Sequence, residues 1–258
     1  MDLGELERAA AWINRANSVV AFTGAGISVE SGIPDFRSPG GLWSKFNPDV
    51  YCDFQTFKAK PKLFWEMARE MQATIARAQP NPAHITLVEM EKQNLVSCVI
   101  TQNIDNLHQQ AGSTSVFELH GNAATSSCIM CHEQVPTPEA IGQLQGQDSK
   151  VPKCKICDGV MKMDVILFGE ALTNSILEGA MTAAMTADVM LVVGTSLTVS
   201  PANEVVSACR RRNGKVIIVD PDHSVKPQGD LLLCGQAGVV LPQLLQACFA
   251  KRNVSTTS

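Results

Sequence analysis

Leu6, Ala9, Ala10 and Ile13 recur at three- and four-residue steps, the period of an amphipathic helix. From Ser18 to Thr23 the pattern becomes an unbroken apolar run and predicts a buried strand, which Gly24, Gly26 and Gly32 break into a glycine-rich loop. Helical spacing returns from Pro61 to Ala78 and from Ala83 to Gln93. Leu95 to Thr101 reads as a second strand, Val189 to Val193 as a third and Val216 to Val219 as a fourth. Helical patterns from Ser175 to Ala187 and from Pro201 to Asn213 precede the last two strands, and a final helix covers Leu241 to Ala250. Apolar strands alternating with helices build a parallel sheet wound on both faces, so the expected class is α/β.

One stretch breaks that rhythm. Ala123 to Met163 is polar and turn-rich, and reads as a small module inserted into the main domain. It carries Cys128-Ile129-Met130-Cys131 and Cys154-Lys155-Ile156-Cys157. Each C-x-x-C pair places two sulfurs on one ion, and four thiolates close a tetrahedral structural zinc site with Zn–S near ~2.3 Å. Cys128 to His132 also spells C-x-x-C-H, the attachment pattern of a c-type haem. Haem leaves the second pair unexplained and calls for an exported chain. A redox pair sits beside a thioredoxin-like βαβ pattern rather than in a polar insert. Cys52, Cys98, Cys209, Cys234 and Cys248 read as small core hydrophobes.

Composition narrows the class. The 258 residues are 45% hydrophobic and 18% charged, with a formal charge of −4, as in a globular protein of one large domain or a main domain with a smaller one. Arg210, Arg211 and Arg212 cluster in a helical pattern and read as a solvated face, so no direct nucleic-acid partner is expected. No apolar stretch approaches the ~20 residues of a membrane span, and none is expected to enter a membrane. Met1 to Arg8 lacks the regions of a secretory signal, which makes a cytoplasmic, reducing location the expectation. The tail 253–258 is polar and expected to fray. Oligomeric state is not legible.

The chemistry gathers where strands end, the place where open α/β sheets bind ligands. Gly24-Ala25-Gly26-Ile27-Ser28 follows the first strand; such glycines let a backbone approach a pyrophosphate with its N–H groups, though a tight turn explains them equally well. Ser31-Gly32-Ile33-Pro34-Asp35-Phe36-Arg37-Ser38 then sets an acid, an aromatic and a base in one loop. Thr101-Gln102-Asn103-Ile104-Asp105-Asn106-Leu107-His108 begins where the second strand ends. Glu118-Leu119-His120-Gly121-Asn122 follows, Gly194-Thr195-Ser196 ends the third strand and Asp220 the fourth.

These motifs closely resemble the sirtuin family of NAD-dependent protein deacylases. The resemblance rests on G-A-G-I-S from Gly24, S-G-I-P-D-F-R-S from Ser31, T-Q-N-I-D from Thr101 and L-H-G from Leu119. Both C-x-x-C pairs, F-G-E from Phe168 and V-G-T-S-L from Val193 complete it, in family order from about Val20 to about Leu241. It implies a Rossmann-type domain (1–47, 82–122 and 164–252) and a smaller zinc-plus-helix domain (48–81 and 123–163). NAD, consumed as a co-substrate, and an acyl-lysine protein substrate would meet in the cleft between them.

The resemblance also implies roles. Gly24, Ala25, Gly26, Gly194, Thr195 and Ser196 would hold phosphates and the adjoining ribose, with Asp220 and Ala237 at the adenosine end. Asp35 would join the cofactor-binding set, Phe36 would cover the sugar face once nicotinamide leaves, and Arg37 would order the mobile loop against the cofactor. Gln102, Asn103, Ile104 and Asp105 would hold the nicotinamide end, with Asn103 catalytic. His120 would act as general base on a ribose hydroxyl, and Ile166, Phe168, Gly169 and Glu170 would line the peptide. Cys128, Cys131, Cys154 and Cys157 would bind one structural zinc.

Two positions depart from the family's usual pattern, and a third marks a subset of it. Lys162-Met163 stands where the family commonly has Arg-Pro, which is expected to loosen the start of the substrate strand. Asp220 stands where Asn is common, and its carboxylate still accepts bonds from ribose hydroxyls. Sirtuins that take acidic acyl groups resemble one another in a Tyr-x-x-Arg pair, where this chain has Ala68 and Met71. Met67 and Met71 offer an apolar lining instead. The rival readings are an ADP-ribosyltransferase or NAD hydrolase on the same cofactor loop, an idle NAD-sensing module, and, more remotely, a dehydrogenase.

Overall fold

The computed structural model describes residues 2–35, 41–145 and 151–255. Its first helix, Leu3–Arg15, is capped by Asp2, whose carboxylate accepts the Gly4 N–H, and it buries the stripe Leu6, Ala9, Ala10 and Ile13.

Six strands make the main sheet: β1 (Val19–Thr23), β2 (Cys98–Thr101), β3 (Val116–Glu118), and, after three strands of a second sheet, β7 (Val189–Val193), β8 (Lys215–Asp220) and β9 (Leu231–Cys234). Their order is β3-β2-β1-β7-β8-β9, and every pairing is parallel. The order runs outward in both directions from β1 and β7, so the topological switch point lies between them. Alternate side chains feed opposite faces. Ala21, Val99, Leu191 and Ile217 pack under the helices Leu3–Arg15, Pro82–Lys92 and Ala237–Ser255. Val20, Phe22, Ile100, Met190 and Ile218 pack under Asn174–Thr186 and Glu204–Arg210. Each fully buried large apolar side chain contributes about 1.5–3 kcal/mol relative to exposure.

The second sheet is antiparallel, ordered β5-β4-β6, with β4 (Gly121–Cys128), β5 (Gln134–Pro136) and β6 (Met161–Val165). It shares a third core with the helix Pro61–Ile75, where Phe57, Phe64, Trp65, Met67, Met161 and Met163 meet. Trp65 donates its indole N–H to the Met161 carbonyl at 2.9 Å.

Several boundaries differ from those the periodicity predicts. The helix expected over 201–213 is confined to Glu204–Arg210, because the turn before it is shaped by Pro201. The last helix begins at Ala237, ahead of Leu241, and accommodates Pro242. The short strands β3 and β9 were absent from the expected set, and the cysteine-rich stretch is a sheet rather than turns alone. No helix among the described residues is long and apolar enough to cross a membrane.

Candidate active site

The loops after β1, β2, β7 and β8 converge on one cavity of about 700 Å³. Two of them interlock. The Gly24 N–H donates to the Val193 carbonyl at 3.0 Å and the Gly26 N–H to the Gly194 carbonyl at 2.9 Å. A Cβ on Gly24 would lie 2.6 Å from Thr195 Cβ, and one on Gly26 2.7 Å from Gly194 Cα. These glycines therefore dock loop on loop, and the expectation that their N–H groups face a ligand is corrected: both are taken by carbonyls. Ala25, Gly26, Gly194, Thr195 and Ser196 still line the cavity, as do Asp35, Asp220 and Ala237. Phe36 and Arg37 lie outside the described residues.

A second, smaller cavity of about 240 Å³ adjoins it, sharing Ala25, Ile104 and Met71. Asn103 and Asp105 line it. Asn103 donates its amide to the Gly24 carbonyl at 3.1 Å and to Ser28 Oγ at 3.2 Å. Ser28 Oγ donates in turn to Asp105 at 2.6 Å. Burial pushes the Asp105 carboxyl above its ordinary value, against the hydrogen bonds from Ser28 and Leu107. Gln102 bridges two strand ends by donating to Thr195 Oγ1 at 2.9 Å.

His120 sits in the turn between β3 and β4 and faces the larger cavity. Its Nδ1 lies 2.9 Å from the Gln102 carbonyl. A carbonyl only accepts, so Nδ1 carries the hydrogen and Nε2 keeps its lone pair. Burial lowers the His120 pKa, with the Gln102 bond pulling the other way, so the ring is a neutral base at pH 7. The His120 carbonyl accepts the Ile166 N–H at 2.8 Å, which ties the base to the segment after β6.

The four cysteines come together at the tips of two knuckles. Their sulfurs all lie within 4.8 Å of one another, with Cys128 and Cys157 at 3.5 Å and Cys131 and Cys154 at 3.6 Å. Tetrahedral zinc with bonds of ~2.3 Å sets sulfurs about 3.8 Å apart. Backbone N–H groups of Met130 and Ile156 point at the Cys128 and Cys154 sulfurs, each at 3.4 Å, which stabilises thiolates. The donor set fits one structural zinc and leaves no position for a reacting ligand.

A model of the Sir2 family matches residues 24–201, the span that holds His120, both cysteine pairs and the first three strand-end loops. The chain belongs to the Sir2 family. It is 42% identical over 247 residues to an NAD-dependent protein deacylase of Pyrococcus furiosus, covering 95% of this chain and 97% of the relative. An NAD-dependent protein deacetylase of Thermodesulfovibrio yellowstonii is 40% identical, with 93% and 94% covered. A solved Sir2 structure with a deacetylated p53 peptide and 3′-O-acetyl-ADP-ribose superposes with a TM-score of 0.88 at 34% identity, covering 93% of this chain and 97% of that one.

In this Sir2 chain the expected peptide-lining segment turns partly inward. Phe168 donates its N–H to the Cys52 carbonyl and accepts the Phe54 N–H at its own, so that backbone edge is already paired. The Glu170 carboxylate accepts the Leu167 N–H at 3.0 Å and lies 3.1 Å from Lys162 Nζ. Lys162 also donates to the Val165 carbonyl at 2.6 Å. The lysine that replaces the family's usual arginine thus ties down the segment, and Met163 takes its place in the ladder opposite Ser126. Ile166, Phe168, Gly169 and Glu170 line the cavity.

Sequence reasoning missed Glu30, which lines the cavity and accepts the Gly238 N–H at the start of the last helix. No local signal marks it, since 208 residues separate the pair. Cys52, expected as plain core, also lines the cavity and donates its thiol to Met67 Sδ at 3.4 Å. His84 completes a capping box with Asn81 at the start of the helix Pro82–Lys92.

Proposed function

We propose that this Sir2 chain is an NAD-dependent protein-lysine deacetylase or deacylase that releases nicotinamide, O-acyl-ADP-ribose and free lysine. One observation carries the reading: a neutral His120, with Nε2 bare, faces a cavity that joins four strand-end loops to an apolar channel. The channel walls are Cys52, Phe64, Met67, Met71 and Val165. A solved Sir2 enzyme bound to a propionylated peptide, similar to this chain at 33% identity and a TM-score of 0.84, supports it.

NAD, consumed as a substrate, supplies the ADP-ribosyl group that accepts the acyl group. Ala25, Gly26, Gly194, Thr195 and Ser196 hold its phosphate region, Asp220 and Ala237 its adenosine end, and Asp35, Phe36 and Arg37 the cofactor loop. Asn103, Ile104 and Asp105 hold the nicotinamide end, where the Asp105 carboxylate accepts from the carboxamide and the Ile104 backbone N–H donates to it. His120 takes a ribose hydroxyl proton at Nε2. Ile166, Phe168 and Gly169 border the peptide where they line the cavity. Glu170 supports that segment through Lys162.

The acyl pocket takes uncharged groups. Met67 and Met71 line it, whereas Ala68 is buried in the core beside them. No Lys or Arg among the described residues lines the larger cavity. A succinyl carboxylate would enter without a cationic partner, at a desolvation cost of several kcal/mol. The separate third core supports the division into a Rossmann-type domain (1–47, 82–122, 164–252) and a zinc-plus-helix domain (48–81, 123–163). A reducing cytoplasm suits a chain that keeps thiols for metal.

The test mixes the protein, NAD and an acetyl-lysine peptide. Nicotinamide released together with deacetylated peptide supports the reading. Nicotinamide without deacetylation points to an ADP-ribosyltransferase or NAD hydrolase, and NADH absorbance to a dehydrogenase. On matched peptides, kcat/KM for succinyl-lysine falls well below that for acetyl-lysine; equal values would refute the pocket assignment.

A further inference from the structure

Two histidines that the proposed chemistry does not use lie beneath the cofactor loops. His84 is 0% exposed and His108 is 1% exposed. Their rings meet edge to face, with centroids 4.9 Å apart and planes at 61°. Burial pulls the His84 pKa down to about 4 and the His108 pKa to about 3, with His84 adding to the second shift. Both rings are therefore neutral at pH 7, each with one N–H and one bare nitrogen.

The partners decide which nitrogen is which. The Asn81 backbone N–H donates to His84 Nδ1 at 3.4 Å, so the His84 hydrogen sits on Nε2. His108 Nε2 lies 2.9 Å from Thr23 Oγ1, and the Thr23 hydroxyl donates its own hydrogen to Thr101 Oγ1 at 2.8 Å. His108 Nε2 must then be the donor, which leaves Nδ1 bare. The two remaining atoms, His84 Nε2 and His108 Nδ1, are buried and lack partners among the described residues. One is a donor and the other an acceptor, on rings in contact. Buried polar groups left unmatched are costly, and this pair is complementary.

We infer that His84 and His108 form a positioning pair, linked from His84 Nε2–H to His108 Nδ1, that holds the two walls of the nicotinamide end in register. At one end, Asn81 donates its side-chain amide to the Ile27 carbonyl at 2.7 Å and to Ser31 Oγ at 3.0 Å, holding the wall that follows the glycine loop. At the other end, Thr101 Oγ1 also accepts the Asn103 N–H at 3.0 Å, holding the opposite wall. The inferred link joins the hydrogen bonds that run from Ser31 to His84 with those that run from His108 to Asn103. Neither histidine touches a reacting atom; both act through the loops they hold.

The kinetic arm of the test rests on the deacylase reading, and the spectroscopic arm does not. In the zinc-loaded full chain labelled with ¹⁵N-histidine, both side chains show the Nε2–H tautomer at pH 7. His108→Leu raises KM for NAD roughly tenfold and leaves KM for the acetyl peptide within about twofold, because a displaced wall costs cofactor positioning first. His108→Gln keeps a donor towards Thr23 and an acceptor towards His84, and recovers most of the loss. If His108→Leu does not fold, Thr101→Val carries the same KM split, since it removes the acceptor and keeps the shape. An Nδ1–H tautomer on either ring overturns the link. A folded variant with wild-type KM for NAD, or a Gln variant no better than Leu, reduces the pair to packing. Wild-type protein with no turnover sinks the deacylase reading and leaves the tautomer result standing.

Discussion

The parallel sheet and the cysteine-bearing module solve the same problem with different means. Each central strand of the sheet is buried on both faces, and helices cover it on either side. The module has three strands, of which Gln134–Pro136 is mostly exposed, and its knuckle tips leave Met130 and Ile156 at 68% and 69% exposure. Its tips bury little apolar surface, and the four cysteines gathered there fit one zinc ion that would close them. His120 stands at the joint: its ring is held from the β2 end and its carbonyl from the segment that follows β6. The site therefore inherits the rigidity of the sheet and the fragility of the module.

Removing the zinc breaks the comparison most severely. Structural zinc contributes on the order of 10–16 kcal/mol of apparent binding energy to folding in small sites. Chelation or Cys154→Ala should abolish activity and melt the module while the sheet persists. Metal analysis with a two-probe thermal melt measures this, and a folded, active preparation free of zinc would refute the assignment. His120→Ala tests the joint without disturbing either side. It should fold, bind NAD and lose about 10²–10⁴ in turnover; near-normal deacylation would move the base elsewhere.

Acid probes the sheet side. The pKa values of His84 and His108 are depressed from 6.5 to about 4 and about 3. The unfolded chain binds protons that the folded chain refuses, so their contribution is complete above pH 6.5. It is lost as pH falls from 6.5 to about 4 for His84 and to about 3 for His108, at up to about 1.4 kcal/mol per pH unit for each. Denaturant melts across this window, run beside a zinc-release assay, separate the imidazoles from the thiolates. A flat profile with zinc retained would contradict the buried neutral pair.

The smallest effect tests the strut between the regions. Lys162 and Glu170 are mostly buried, at 11% and 22% side-chain exposure. Lys162→Met should cost about 1–3 kcal/mol by stranding a carboxylate. It should raise KM for peptide more than KM for NAD, with Lys162→Arg restoring both. An equal change in the two KM values would make the contact a general stabiliser.

Much of this was legible in the chain. Periodicity marked the helices Leu3–Arg15 and Pro82–Lys92, and apolar runs marked β1, β2, β7 and β8 to within a few residues. The strands missed in the main sheet, Val116–Glu118 and Leu231–Cys234, have three and four residues, too few for a period to emerge. The site residues Ala25, Gly26, Ile104, His120, Thr195 and Asp220 do meet in one cavity. Gly24 lines neither described cavity and serves the docking of loops instead. The Arg-Pro replacement was expected to loosen the substrate segment, yet Lys162 reaches back to Val165 and Glu170 and binds it.

The sequence by itself determined what depends on neighbours along the chain. Side-chain period, glycines that break a strand into a loop and cysteine pairs with two residues between them are all local, and each forces its own geometry. The tertiary structure alone decided which distant groups share a boundary. Glu30 finds Gly238, Nδ1 of His120 finds the Gln102 carbonyl, and His84 meets His108 across two helices. Those meetings set tautomers and shift pKa values, because protonation depends on burial and on the partner at each nitrogen. Neither quantity exists until the sheet has closed.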